Sequence, residues 1–231
     1  MSRVILFTSA DERSDRPLHA LILAHGLAQH RRVLFADLDT LLRSADLLSG
    51  LQDRAVYTLR DFVQAGARLR DCLLRDESNL DLYLMFSPPD PDFKAEEQQL
   101  RAICEKLKDR FDVILLNVHP YSPSLSAAMA VSDCAAVMAA YTPASLRGVR
   151  NLGRHLSKEG RIDDQRLILT QLPAKERIPV DDIIDSAGMR LAGLIPASEE
   201  VQGQPFSKLI EQKHCDLFRI YVEIATRIME L

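Results

Sequence analysis

No tryptophan occurs in the 231 residues, glycine is scarce at 9, and no apolar run approaches the length of a membrane-spanning helix. The longest runs, at 21–24 and 113–116, fall far below the roughly 20 residues needed to cross a bilayer. Ahead of the first strand-like run stands only Met-Ser-Arg, without the apolar stretch and small-residue cleavage site of a secretory signal, so a cytoplasmic protein is expected. The four cysteines, Cys72, Cys104, Cys134 and Cys215, form no CxxC pair and sit among apolar neighbours. They read as reduced, mostly buried thiols, and His214 with Cys215 lacks the further ligands a metal would need. No metal site is expected. Neither sign of charge dominates: 29 Lys+Arg against 33 Asp+Glu leave a net −4, which argues against nucleic-acid binding through overall charge.

What is present is a chain long enough to bury about 70–75% of its unfolded surface without disulfides or metals. Short β-branched runs at 4–8, 33–36, 82–86, 113–117, 135–139, 167–170 and 191–195 read as strands. Helical spacing of apolar residues appears at 18–30, about 93–108, 144–158 and 214–231. The strands are continuous rather than alternating apolar runs, as expected where helices cover both faces of a sheet. Strand–helix alternation along the whole length predicts an α/β fold: a doubly wound, mostly parallel sheet, with residues 1–231 forming one domain. Ligands of such folds sit beyond the carboxyl ends of the strands, which directs attention to the loops after Thr8, Ala36, Phe86, Asn117, Ala140 and Thr170.

The first of these loops reads Thr8-Ser-Ala-Asp-Glu-Arg-Ser-Asp-Arg-Pro17. A phosphate cradle uses glycines so that successive backbone N–H groups turn inward, with a Lys for the phosphates and a Ser or Thr for Mg²⁺. This loop contains no glycine. Asp11, Glu12 and Asp15 outnumber Arg13 and Arg16, and Pro17 supplies neither hydroxyl nor N–H.

The surroundings of that loop resemble the MinD/ParA group of deviant-Walker ATPases. The similarity is carried by Phe7-Thr-Ser9, by Ala24-His-Gly-Leu-Ala-Gln29, and by Asp37-Leu-Asp39 continuing through Leu42-Arg-Ser-Ala-Asp-Leu-Leu-Ser-Gly50. It continues in Phe111-Asp-Val-Ile-Leu-Leu-Asn117, Tyr141-Thr-Pro-Ala-Ser-Leu-Arg-Gly-Val-Arg150 and Leu191-Ala-Gly-Leu-Ile-Pro196. The resemblance spans essentially the whole chain and rests on the order and spacing of these segments. It implies a P-loop NTPase-like fold, and the departures from it fall on the chemistry. Asp11 stands at the family's signature-lysine position, Arg16 at the phosphate-lysine position and Pro17 at the Mg²⁺-binding hydroxyl. Asn117 replaces the Walker B aspartate, and Gln171-Leu-Pro lacks the Asn the family commonly uses near the adenine. Of the catalytic carboxylates only Asp39 is left, with Asp37 beside it.

The expectation is therefore a pseudo-ATPase with no cofactor, ATP and Mg²⁺ being disfavoured, similar to the CpaE/TadZ branch that helps localise pilus and secretion machinery. Its partners would be proteins: a second copy, an ATPase paralogue, or a component of a pilus, secretion, flagellar or division apparatus, through which it is recruited to the cell pole or inner membrane. Asp11, Glu12, Arg13 and Arg16 are candidates for pairing across a two-fold interface. Two rival readings stay open: an unorthodox ATPase using Arg16, Asp39 and Asn117, and a DNA-associated partition factor using Arg68, Arg70, Arg75, Arg147, Arg150 and Arg154. The blander account of Asp37 and Asp39 is a pair of solvated carboxylates at a strand end, and of His119 a polar loop residue. The last helix, with Leu217, Phe218, Tyr221, Ile224, Ala225 and Ile228 on one face and mixed charges on the other, reads as core packing or a partner contact rather than a membrane anchor.

Overall fold

The computed structural model describes residues 2–11, 15–40, 44–160, 162–175, 178–197 and 216–230. Among these residues eight strands form one sheet: β1 (Arg3–Ser9), β2 (Val33–Asp37), β3 (Leu74–Arg75), β4 (Leu82–Phe86), β5 (Val113–Asn117), β6 (Cys134–Ala140), β7 (Gln165–Leu172) and β8 (Arg190–Pro196). Their spatial order is β3-β4-β2-β5-β1-β6-β7-β8. All neighbours are parallel except β3, which runs antiparallel to β4 at the edge.

The helices are α1 (Arg16–Leu27), α2 (Ser44–Leu48), α3 (Leu59–Gln64), α4 (Leu69–Cys72), α5 (Glu97–Leu107), α6 (Leu125–Val131), α7 (Pro143–His155), α8 (Val180–Ala187) and α9 (Asp216–Met229). Side chains alternate across the pleat. Ile5 and Phe7 therefore join α1 and α9 in one apolar layer, while Val4 and Leu6 join α5, α6 and α7 in the other. The doubly wound sheet expected from the apolar runs is present.

Three elements differ from the expected pattern. Helix α5 begins at Glu97, not near residue 93, because Glu96 and Gln99 form a capping box and Phe93 is buried as a separate anchor. β3 is too short to register as a run. The last helix begins at Asp216 and packs Phe218, Tyr221 and Ile224 into the core against α1, so the core-packing reading holds. His214, Cys215 and Leu231 lie outside the described residues. Cys72 and Cys134 are buried and Cys104 is half-buried, all as free thiols. Burial pushes them up to about 11, 12 and 11 respectively. Among the described residues, no helix is long and apolar enough to cross a membrane.

Candidate functional site

The parallel register sets Asn117 of β5 beside Phe7 of β1 on one side and Asp37 of β2 on the other. Three strand ends thus converge where the first loop turns into α1. Pro17 fits the opening turn of that helix, where a missing N–H costs nothing. Arg16, the first residue of α1, sends its side chain back over the strand ends and is only 1% exposed.

The guanidinium closes a buried polar network. Arg16 Nη1 donates to Asn117 Oδ1 at 2.5 Å, and Nη2 donates to Asp39 Oδ2 at 2.5 Å. Asn117 Nδ2 donates to Asp37 Oδ1 at 2.7 Å, and the Asp39 backbone N–H reaches the same oxygen at 3.2 Å. Asp37 and Asp39 are 2% and 1% exposed, so they are not the solvated pair of the blander reading. The reason is the register: β2 ends flush with β5, and the neighbouring strand ends and Arg16 cover both carboxylates.

Burial raises the Asp37 carboxyl to about 7, with Asp39 adding to the rise while Arg16 and the Asn117 amide oppose it. Desolvation pulls Arg16 below its ordinary value, and the charges of Asp39 and Asp37 resist that pull. Arg16 Nε is buried without a hydrogen-bond partner among the described residues.

The loop is anchored on the other flank as well. Asp11 Oδ2 accepts from Ser145 Oγ at 2.5 Å and from the Ala140 N–H at 3.3 Å, so its carboxylate sits at the start of α7. A Cβ on Gly148 would meet the Ala10 carbonyl oxygen at 2.2 Å, so only glycine lets α7 approach the loop this closely. On α1, the Asp15 carboxylate lies 3.5 Å from His19 Nε2, while His19 Nδ1 contacts the Tyr221 hydroxyl of α9.

Arg16 therefore faces inward and is not available to a partner across an interface, and Asp11 is engaged within the chain. Glu12 and Arg13 lie outside the described residues. Arg68, Arg70 and Arg75 fall near the β3 edge of the sheet, whereas Arg147, Arg150 and Arg154 lie on α7 beyond β6. These six arginines do not form one patch. His119 accepts from the Tyr121 N–H at 3.2 Å, which suits a polar loop residue. Gln171 takes a left-handed backbone (φ 57°) where the register between β7 and β8 shifts. Ser145 and the His19–Tyr221 contact escaped sequence reasoning, since their partners lie 134 and 202 residues away.

No family model matches the chain. A curated relative, the putative septum site-determining protein MinD of Emiliania huxleyi, is 27% identical over 99% of this chain and 88% of its own length. Among solved structures, the MinC:MinD cell division protein complex of Aquifex aeolicus aligns with a TM-score of 0.84 at 20% identity, covering 99% of this chain and 96% of that one. MinD from Pyrococcus horikoshii complexed with Mg-ADP aligns at 0.81 and 21%, covering 100% and 97%. A ParA family ATPase from Chlorobium tepidum aligns at 0.77 and 20%, covering 98% and 99%.

The Mg-ADP complex overturns the expectation that no cofactor is involved. That expectation rested on the glycine-free, acid-rich loop, on Arg16 and Pro17 in place of a lysine and a hydroxyl, and on Asn117 and Gln171. The fold brings Arg16, Asp37 and Asp39 together at the strand ends. A hydrated Mg²⁺ needs only one or two protein carboxylates, which Asp37 and Asp39 at these strand ends would offer.

Proposed function

The chain is a MinD/ParA-like protein in sequence and fold, and from that premise we propose that it serves spatial positioning as a scaffold that does not hydrolyse ATP. The observation supporting this reading is the bond from Arg16 to Asp39. Water activation needs a carboxylate aimed at the attacking water in a preorganised site. Here the Asp39 carboxylate is held by the guanidinium, and the neighbouring strand end carries the amide of Asn117 in place of a second acid. Arg16, Asp37, Asp39 and Asn117 are bonded to one another at the strand ends, so the set that would orient water is spent on internal bonds.

In this reading the protein acts through other proteins, as a CpaE/TadZ-like factor for a pilus, secretion, flagellar or division apparatus. Its partners are itself, an ATPase paralogue or an apparatus component. The likeness to the Aquifex MinC:MinD complex supports a partner-binding role for this fold.

Phosphate release from Mg-ATP by the purified chain tests the proposal, with calorimetry of Mg-ATP and Mg-ADP run in parallel. Release at the buffer background, whatever the binding heat, supports the scaffold. Steady turnover that disappears in Asp39→Asn overturns it and favours the unorthodox ATPase.

A further inference from the structure

Beside the strand-end network, α7 carries a second arrangement of charge. Ser145 and Gly148 face the first loop, whereas Arg147, Arg150 and Arg154 recur at helical spacing on the opposite side. That side lines two adjoining clefts between α7 and α8, of about 320 and 340 Å³, and Lys158 extends the basic wall. The facing wall belongs to α8 and presents Asp182 and Asp185. Pro143, Leu146 and Ile178 form an apolar floor in the first cleft.

These opposed charges do not meet. Arg150 bonds to Ser186, not to an acid. Among the described residues, the side chains of Arg147, Arg154, Lys158, Asp182 and Asp185 make no ion pair or hydrogen bond, although all are exposed. Other surface charges are paired, among them Arg54 with Glu77, Arg60 with Asp90 and Arg101 with Glu97. A basic ridge beside an acidic ridge, with an apolar floor between them, is self-complementary under a two-fold rotation, which carries each ridge onto the other.

We propose that the α7–α8 face is a self-association surface, on which a second copy of this chain sets its Asp182 and Asp185 against Arg147 and Arg154 and receives the same contacts in return. The surface is distinct from the strand-end network and needs no nucleotide. Exposed charge pairs are weak individually and screened by salt, so the dimer is favoured at low ionic strength.

Sedimentation velocity of the full chain without nucleotide, at roughly one Debye length of 30 Å and again at 3 Å, tests this. A dimer at low salt should weaken at least tenfold at high salt. Arg147→Glu/Arg154→Glu and Asp182→Lys/Asp185→Lys should each be monomeric, since each sets like charges together at both halves of the interface. Mixing the two variants should restore the dimer, because Glu then meets Lys and Asp meets Arg. A wild type that stays monomeric at low salt, variants that keep the dimer, or a mixture that fails to recover would each overturn the proposal. Matching circular dichroism spectra show that both variants are folded.

Discussion

Replacing Arg16 with Met tests the buried network most directly. The substitution keeps the length and apolar stem of the side chain but removes the guanidinium that bridges Asn117 and Asp39. Asp39, 1% exposed, then loses the guanidinium, and Asn117 Oδ1 loses its donor. Removing one partner of a buried ion pair costs about 3–5 kcal/mol, against a total stability of about 5–15 kcal/mol for a typical domain. For a chain of this size each kcal/mol moves the melting temperature by about 2–4 °C, so Arg16→Met should lower it by roughly 6–20 °C. The chain has no tryptophan, so urea unfolding is best followed by far-ultraviolet circular dichroism. Arg16→Met/Asp39→Leu removes both charges and should recover most of the loss, since apolar replacement of a buried pair is often neutral. A single variant within about 1 kcal/mol of wild type, small for a buried-charge effect, would refute the reasoning. So would a double variant no more stable than the single one.

Further outcomes follow from the same geometry. The raised Asp37 carboxyl keeps its proton in the folded state up to about pH 7, whereas in the unfolded chain it ionises near 3.9. Its contribution is fully present below pH 3.9 and is lost as pH rises through 7. The stability of Asp37→Asn, measured from pH 5 to 8, should therefore fall less steeply than that of wild type. Asp76 behaves in the opposite sense: burial pushes its carboxyl up, but the hydrogen bond and charge of His25 outweigh this and hold it at about 2. Asp76→Asn should lose stability at neutral pH and converge on wild type in acid titrations as pH falls from about 4 to 2. Gly148→Ala should drive α7 away from the Ala10 carbonyl, cost about 1–3 kcal/mol by overpacking, and speed amide exchange at the start of α7.

The large elements were legible because each is long and strongly patterned. The apolar run ending at Asn117 announces a central strand, and the stripe from Phe218 to Ile228 announces a helix packed on the core. β3 was not legible, because two residues carry no period and its pairing comes from β4 rather than from its own sequence. Within the site, Arg16, Asp37, Asp39 and Asn117 could each be singled out from their loops. Their mutual bonds could not, since the partners lie 23 to 101 residues apart and meet only where the β2–β5 register and the start of α1 bring them together. Judging the site by the residues missing from the loop and from Asn117 led to the wrong expectation about nucleotide, while the carboxylates Asp37 and Asp39 come from the end of β2 and lie outside that loop.

The closed circuit of Arg16, Asp39, Asn117 and Asp37 also constrains how this sequence can change. Among the described residues, one buried guanidinium stands against two carboxylates, one of which carries a proton over much of the acidic range. Asn117→Asp alone would put a third carboxylate against the same guanidinium, and an exchange at Arg16 alone would take the guanidinium away from Asp39. Each single step toward a hydrolytic set of residues therefore crosses a less stable protein, and only paired substitutions keep the charges balanced. The network acts as an epistatic lock on the sequence.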